Sequence, residues 1–290
     1  MITQQLLHET IASALREDAP WGDITAVTVI PSSAHACAHL IAREDGVLSG
    51  GEVFRAVFIQ TNASIDVTLP VKDGDSFARG QVLATVQGPA RGILTAERIA
   101  LNFVQRMSGI ATLTAEYVSR IAGTRARLVD TRKTTPGLRI FEKYAVTCGG
   151  GYNHRFGLSD AIMVKDNHLA ILQQTLDTGL TEALLHIRKS LGHTVHIEVE
   201  VDRLDQIETV LAAGVDTIML DNFSLEDLRT GVALIAGRAL VEASGGINLD
   251  TIADIAATGV DMVSVGALTH SVRSLDLGLD VTIALTDDSK

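Results

Sequence analysis

Residues 215–246 read VDTIMLDNFSLEDLRTGVALIAGRALVEASGG, and this stretch decides the fold class. Two short runs of aliphatic and β-branched residues, 215–222 and 239–246, enclose an amphipathic stretch that ends at Gly237. The pattern predicts a strand, a helix with a glycine at its left-handed end, and a second strand. Two strands joined by a helical crossover lie parallel, so an α/β fold is expected.

The same alternation extends on both sides of this stretch. Four more predicted strands read ARLVDTR, AIMVKD, TVHIEVEV and VDMVSVGA, at 126–132, 161–166, 194–201 and 260–267. A doubly wound sheet and a β/α barrel both fit six parallel strands. Each strand turns polar or becomes glycine at its carboxyl end, which favours the barrel, because the active face of that fold lies there.

The N-terminal part follows a different pattern. Residues 31–86 alternate short apolar runs with Gly and Asp turns, which predicts a small β-rich domain with one helix at 52–61. Residues 93–121 have a helical period and predict two linking helices, the second beginning after Ser108 and Gly109.

These patterns divide the chain into three parts. We expect an N-terminal domain with its linking helix at 1–112 and a catalytic barrel at 113–275. The remaining segment, 276–290, is expected to pack back on the N-terminal domain.

Composition restricts the possible partners. The formal net charge of −11 disfavours nucleic acid and anionic membranes as partners. No apolar run reaches the roughly 20 residues that span a bilayer, and residues 1–16 predict an amphipathic helix without signal-peptide regions. Cys37 and Cys148 lack metal-ligand spacing and are expected to be reduced thiols of a cytoplasmic protein.

Strand alternation assigns the polar side chains to one side of the barrel. Glu198 and Glu200 share one face of their strand, while the aliphatic residues between them face the helices. The same parity pairs Asp130 with Arg132, Met163 with Lys165, Met219 with Asp221, and Glu242 with Ser244. For the deeper Asp130, Glu198 and Glu242, a structural ion network is at least as good an interpretation. Arg132, Lys165, Glu200 and Asp221, at the mouth, are predicted to be functional.

Cations are concentrated in two motifs, DTRKTTPGLR at 130–139 and NHR at 153–155. An arginine guanidinium matches a carboxylate or phosphate with two hydrogen bonds, and a lysine adds a point charge. Against an acidic background, these motifs predict a site for a small molecule with several negative charges. The candidate residues are Thr131, Arg132, Lys133, His154, Arg155 and Lys165.

Two glycine turns close the last two strands. Backbone N–H groups approach an anion closely where glycine is present, and late barrel strands commonly host a phosphate in this way. The predicted phosphate-binding residues are Ser244, Gly245, Gly246, Val265, Gly266 and Ala267. The segment CGGGY at 148–152 lacks phosphate-loop spacing and is interpreted as a loop that positions His154 and Arg155.

Taken together, these motifs resemble one family nearly end to end, the quinolinate phosphoribosyltransferases among the type II phosphoribosyltransferases. The matching segments include GDIT at 22–25, TAERIALNF at 95–103, DTRKTTPGLR at 130–139, GGYNHR at 150–155, MVKDNH at 163–168, EVEV at 198–201, MLDN at 219–222 and both glycine turns. The resemblance implies an α/β hammerhead-like N-terminal domain and an incomplete, seven-stranded β/α barrel. It also implies a homodimer in which Arg98 reaches the neighbouring active site.

The resemblance further implies the reaction. Phosphoribosyl pyrophosphate and quinolinate, with Mg²⁺ carried by the phosphates and no organic cofactor, would give nicotinate mononucleotide, pyrophosphate and CO2 for NAD biosynthesis. Glu200, Asp221, Lys133 and Lys165 would be catalytic, and Glu200 and Asp221 would reach the metal through water. The remaining candidate residues, with Arg98 of a neighbouring subunit, would bind the substrates.

Two alternatives stay open. A relative in the same family would use another acceptor, such as nicotinate, although the number of cations disfavours a monocarboxylate. Residues 71–83, VKDGDSFARGQVL, resemble the hairpin of biotinyl and lipoyl carrier domains, but Lys72 precedes the glycine turn instead of occupying it. A purely structural role would leave the polar strand ends unexplained.

Overall fold

The computed structural model describes residues 2–165, 167–169, 171 and 179–284, which form two compact α/β units. The first unit comprises the described residues of Met1–Ala115, Thr135–Gly150 and Val272–Lys290, and the second comprises those of Glu116–Thr134 and Gly151–Ser271. Among the described helices, none is long and apolar enough to cross a membrane.

The first unit is built on a four-stranded antiparallel sheet. Its helices are α1 (Gln4–Asp18), α2 (Ile24–Val29), α3 (Gly51–Thr61), α4 (Ala90–Arg120, which begins here) and α5 (Arg139–Cys148). Its strands are β1 (His35–Ala42), β2 (Gly46–Val47), β3 (Asp66–Thr68), β4 (Ser76–Phe77), β5 (Val82–Pro89) and β12 (Leu277–Ala284). The sheet order is β12-β1-β5-β3, and β2 pairs with β4.

The helix predicted at 52–61 is confirmed as α3, which buries Phe54 and Phe58 edge to face with ring centroids 4.9 Å apart. Such aromatic pairs add about 0.5–1.5 kcal/mol beyond their buried area. The GDIT motif has a local structural use, because the Asp23 carboxylate caps α2 at the Ala26 N–H and accepts a hydrogen bond from the Thr95 hydroxyl.

The predicted break at Ser108 and Gly109 is wrong, because α4 is one continuous helix through both residues. The Ser108 hydroxyl accepts the Ser49 N–H at 3.1 Å and lies 3.2 Å from the Ser49 carbonyl oxygen. A Cβ on Gly109 would lie 2.2 Å from the Arg273 carbonyl oxygen. Both small residues therefore permit close packing inside the first unit and do not end the helix.

The second unit contains the predicted parallel strands. They are β6 (Arg127–Val129), β7 (Ile162–Val164), β8 (Ile197–Val201), β9 (Thr217–Asp221), β10 (Leu240–Ser244) and β11 (Met262–Ser264), in the order β6-β11-β10-β9-β8-β7. Its described helices are α6 (Leu180–Ser190), α7 (Ile207–Leu211), α8 (Leu225–Ile235), α9 (Ile252–Ala256) and α10 (Ala267–His270). Asp166, at the end of the predicted strand 161–166, lies outside the described residues.

The barrel is incomplete, as predicted. Among the described residues six strands form the ladder, one fewer than the seven that the resemblance implies, and Val129 and Tyr152 form one further parallel bridge. Helix α8, which connects β9 to β10, begins and ends at residues that favour helix termini. Ser224 caps its first turn, and the chain reverses after it through Ala236 and Gly237, with φ of 50° and 76°.

We expect Gly109→Ala to lower the stability of the first unit by about 1–3 kcal/mol, because the added methyl group has no room against the Arg273 carbonyl. Gly192→Ala is the matched control, since a Cβ there meets nothing within 4 Å. Urea unfolding followed by circular dichroism measures both. Equal midpoints for the two variants would contradict the packing role of Gly109.

Candidate active site

A cavity of about 730 Å³ opens at the carboxyl ends of the parallel strands in the second unit. Except for Arg98, every residue predicted for the site lines this cavity: Thr131, Arg132, Lys133, His154, Arg155, Lys165, Glu200, Asp221, Ser244, Gly245, Gly246, Val265, Gly266 and Ala267. Arg98 is exposed on α4 in the first unit.

The predicted strand alternation is confirmed by the lining of the cavity. Met163, Glu200, Met219 and Glu242 face it, whereas Ile197, Val199 and Val201 of β8 are buried on the other side. In the parallel register Glu200 pairs with Met219, and Met219 pairs with Glu242. The ladder therefore presents the polar residues of three adjacent strands to one space.

Two guanidinium groups, those of Arg132 and Arg155, line the cavity. Arg155 donates to the Ala161 carbonyl at 3.0 Å and contacts the Met163 sulfur at 3.6 Å, while its Nε is buried without a partner among the described residues. Burial lowers the pKa of Arg155, and the neighbouring charge of Arg132 lowers it further. An anion bound between the two guanidiniums would relieve their repulsion and satisfy the Arg155 Nε.

Two carboxylates, those of Glu200 and Asp221, line the same cavity. The Lys165 ammonium donates to the Glu200 carboxylate at 2.8 Å, and the Asn222 amide donates to the Asp221 carboxylate at 2.6 Å. Each carboxylate is thus oriented by a neighbour that holds one of its oxygens. Groups positioned in advance lose little entropy when a ligand arrives.

The loop after β6 is held by short local hydrogen bonds. The Lys133 N–H donates to the Thr131 hydroxyl at 3.0 Å, and the Thr134 N–H donates to the Arg132 carbonyl at 3.0 Å. The Thr269 hydroxyl donates to the Lys133 carbonyl at 2.7 Å. These bonds fix the backbone that presents Arg132 and Lys133 to the cavity.

Glycine at 245 is required by a close approach. Its φ is +95°, and a Cβ there would lie 2.2 Å from the Asn222 side-chain oxygen. The Asn222 N–H in turn donates to the Ser244 carbonyl at 2.9 Å, and Asn222 itself has a φ of 59°. This turn therefore packs directly on the residue that orients Asp221.

The deepest polar groups form a cluster around the His154 ring. Its Nε2 lies 3.1 Å from a Glu198 oxygen and 3.4 Å from a Glu242 oxygen, and both glutamates are almost fully buried. The Arg155 N–H donates to Nδ1 at 2.7 Å, and the His154 N–H donates to the Asp130 carboxylate at 2.8 Å. We call these four residues, Asp130, His154, Glu198 and Glu242, the His154 cluster.

Protonation in this cluster is set by opposing effects. Burial disfavours a charged His154 ring and acts to lower its pKa, whereas the hydrogen bonds of Nε2 with Glu198 and Glu242 act to raise it. The Arg155 amide acts against a second ring proton, because a protonated Nδ1 would face another N–H at 2.7 Å. We therefore place the extra proton on Glu198, where burial, opposed by the His154 hydrogen bond and reinforced by the Glu242 charge, raises the pKa.

Sequence reasoning missed His270 and Ser264 as cavity residues. His270 lies on α10, one turn after Gly266, and a Cβ on Gly266 would lie 3.1 Å from its ring. Its position one helical turn beyond a predicted site glycine was the available signal. Ser264 precedes the second glycine turn on β11, and strand parity would have found it.

Fold and cavity together define the class, a β/α-barrel enzyme that acts on an anionic small molecule. Comparison with known proteins gives the family. The model of the quinolinate phosphoribosyl transferase N-terminal domain matches residues 23–108, and that of the C-terminal domain matches residues 110–280. The chain belongs to the quinolinate phosphoribosyltransferase family. The hairpin at 71–83 thus lies within the N-terminal domain of this family.

Individual relatives agree over nearly the whole chain. A protein of Mycobacterium leprae named nicotinate-nucleotide pyrophosphorylase [carboxylating] is 44% identical over 94% of this chain and 96% of its own. A Bacillus subtilis protein named probable nicotinate-nucleotide pyrophosphorylase [carboxylating] is 43% identical over 92% and 91%. The crystal structure of NadC from Streptococcus pyogenes has a TM-score of 0.93 at 44% identity, covering 98% of this chain and 99% of that one.

Proposed function

We propose that this enzyme is a pentosyltransferase that moves the phosphoribosyl group of phosphoribosyl pyrophosphate to quinolinate. Decarboxylation follows, and the products are nicotinate mononucleotide, pyrophosphate and CO2, a step of NAD biosynthesis. The observation that carries the proposal is one cavity lined both by two interacting guanidiniums, Arg132 and Arg155, and by the carboxylates of Glu200 and Asp221. The names of the relatives support the same reaction.

Quinolinate carries two carboxylates, and the cavity offers matching groups. Arg132 and Arg155 would hold them, with Thr131 and His154 in the same wall. Arg98 of a second subunit would complete the site. Several cations around one dianion offset the repulsion that the acidic protein otherwise exerts on such a ligand.

Phosphoribosyl pyrophosphate needs a place for each phosphate. Lys133 and Lys165 would face the pyrophosphate, and the backbone at 244–246 and 265–267 would hold the 5′-phosphate. A side chain at position 245 would collide with Asn222, so this turn requires glycine.

Transfer breaks the bond between ribose C1 and the pyrophosphate oxygen, while the quinolinate nitrogen forms a bond to C1. Positive charge develops at the ribose, and the carboxylates of Glu200 and Asp221 stabilise it because they are already oriented by Lys165 and Asn222. The bond from ring C2 to its carboxylate then breaks. Its electron pair stays at C2 beside the positively charged nitrogen until a proton arrives, so the protein needs no nucleophile.

Magnesium fits the donor set of this cavity. Mg²⁺ typically binds through one or two carboxylates, substrate phosphates and its own waters. Glu200 and Asp221 are adjacent carboxylates of this kind, and they would contact the ion through water. When bound, Mg²⁺ would neutralise part of the pyrophosphate charge.

We also propose a homodimer in the cytoplasm. The dimer rests on the family resemblance, which assigns Arg98 to the neighbouring site, and on the exposure of Arg98 in this subunit. Both cysteines are free, which suits a reducing compartment.

Comparing acceptors tests the function. We expect turnover with quinolinate and release of one CO2 per nicotinate mononucleotide, because the paired guanidiniums match a dicarboxylate. Nicotinate should be a much poorer acceptor. Chromatography of the nicotinate mononucleotide formed from each acceptor measures the two turnovers, and ¹⁴C in the carboxyl group that quinolinate loses measures the released CO2. Preferred turnover of nicotinate would favour the alternative acceptor.

We expect Arg132→Ala to lose quinolinate binding, a cost of about 2–5 kcal/mol for removing one partner of a desolvated charged pair. Arg79→Ala is the control, since Arg79 is exposed and outside the cavity. Calorimetric titration measures the affinity and size-exclusion chromatography the assembly. Retained affinity in Arg132→Ala would remove this residue from the binding site.

Mixed dimers test the placement of Arg98. We expect Arg98→Ala and Arg132→Ala each to be inactive alone. After unfolding and refolding together they should recover roughly one quarter of wild-type activity, because half of the dimers would contain one intact site. No recovery from a mixture shown to contain mixed dimers would mean that Arg98 does not act across subunits.

A further inference from the structure

The chain segment that carries Arg155 has little support from the sheet. Between the end of α5 and the start of β7, the described residues make a single ladder contact, the bridge of Tyr152 to Val129. The Tyr152 N–H donates to the Leu128 carbonyl and the Asp130 N–H to the Tyr152 carbonyl, and this pairing does not continue beyond Tyr152. Side-chain hydrogen bonds add to the support of the backbone here, because the His154 and Arg155 amides both donate to side chains.

The His154 cluster supplies this support. The Asp130 carboxylate accepts the His154 N–H at 2.8 Å, and the His154 ring reaches β8 and β10 through Glu198 and Glu242. On its other side the ring accepts the Arg155 N–H at 2.7 Å. A chain of hydrogen bonds thus leads from two barrel strands, through one imidazole, to the backbone of a substrate-binding arginine.

The direction of these hydrogen bonds fixes the tautomer. A backbone amide is always a donor, so Nδ1 accepts and the ring hydrogen lies on Nε2, facing the two carboxylates. Both ring nitrogens are therefore directed at protein groups. His154 is in the cavity wall, but its hydrogen-bonding atoms face the interior of the barrel.

The composition of His154, Glu198 and Glu242 also suits a metal site, since their ligand atoms lie within 4.8 Å of one another. The tautomer argues against it. A nitrogen that carries hydrogen has no lone pair for a cation, and moving that hydrogen to Nδ1 would bring it against the Arg155 N–H. The cluster is better explained as a hydrogen-bonded support.

We propose that Glu198 and Glu242 are positioning residues that hold Arg155 in its substrate-binding orientation through the His154 ring. The inference rests on the proposed function only for the identity of the ligand. Two buried acceptors on separate strands leave the ring one orientation, and this orientation sets the Arg155 amide. The guanidinium then extends to the Ala161 carbonyl and the Met163 sulfur.

Substitutions at Glu198, the nearer acceptor, test the proposal. Glu198→Met keeps the approximate volume and removes the acceptor, whereas Glu198→Gln retains one. We expect Glu198→Met to raise the quinolinate Kd and KM roughly tenfold or more, with kcat and the KM for phosphoribosyl pyrophosphate within about threefold. Glu198→Gln should restore the quinolinate values to within about threefold of wild type. A uniform loss in all parameters, or no rescue by Gln, would overturn the proposal.

A double-mutant cycle tests whether the effect passes through Arg155. In an Arg155→Ala background, Glu198→Met should weaken quinolinate binding by less than about twofold, because the residue that it positions is absent. Independent, additive effects would overturn the proposed coupling. If Glu198→Met does not fold, Glu242→Met with Glu242→Gln repeats the same comparison, with the shift reduced because Glu198 still accepts the Nε2 hydrogen.

Two measurements do not depend on the substrate. ¹⁵N shifts of labelled histidine should show His154 with Nε2 protonated and Nδ1 unprotonated, in the wild type and in Glu198→Gln. Elemental analysis of the purified wild type should find no stoichiometric transition metal. The reverse tautomer or a bound metal lost in Glu242→Gln would overturn the inference. Failure of quinolinate turnover with the expected tautomer would instead count against the proposed function alone.

Discussion

Buried charge in the barrel interior is the constraint on which the site depends. Glu198, Glu242 and Asp130 are almost fully buried, and an isolated carboxylate there would cost several kcal/mol. One imidazole shared by two carboxyl groups and a backbone amide that donates to the third offset part of this cost. Because Glu198 and Glu242 lie on different strands and Asp130 directly follows β6, the hydrogen bonds that satisfy these carboxyl groups also fix the positions of the strand ends. The same hydrogen bonds therefore affect both the stability of this unit and the geometry of its site.

Strand parity extends the same constraint to the mouth of the cavity. Once the aliphatic residues of β8 pack outward, its glutamates must point inward, and the neighbouring strands follow in register. The deeper Glu198 and Glu242 both contact His154 within the protein. Glu200, at the mouth, pairs with the half-exposed Lys165. Exposed pairs are weaker and exchange partners more readily. Depth along the strand thus separates the supporting carboxylates from those available to a ligand.

Much of this was predictable from sequence, for physical reasons that also mark the limit. Period-two alternation placed Glu200 and Asp221 in one cavity, and glycine spacing located both late turns. The continuity of α4 through Ser108 and Gly109 was not predictable, because glycine serves there for a contact with Arg273, distant in the chain. Helix propensity is local, and close packing between distant segments overrides it. His270 was missed because a lone histidine on a four-residue helix has no periodic signal. Arg98 was assigned by resemblance alone.

The single bridge at Tyr152 affects how the His154 cluster supports the chain. A full strand at 152–155 would hold its backbone through ladder bonds, and its side chains would alternate between the interior and the helices. With one bridge only, successive residues are free to face the same space, and His154 and Arg155 both line the cavity. In a regular strand, two consecutive side chains point to opposite faces and cannot both line one site. In place of ladder hydrogen bonds, the His154 amide donates to Asp130 and the His154 ring donates to the Glu198 and Glu242 carboxyl groups, and these contacts hold the segment.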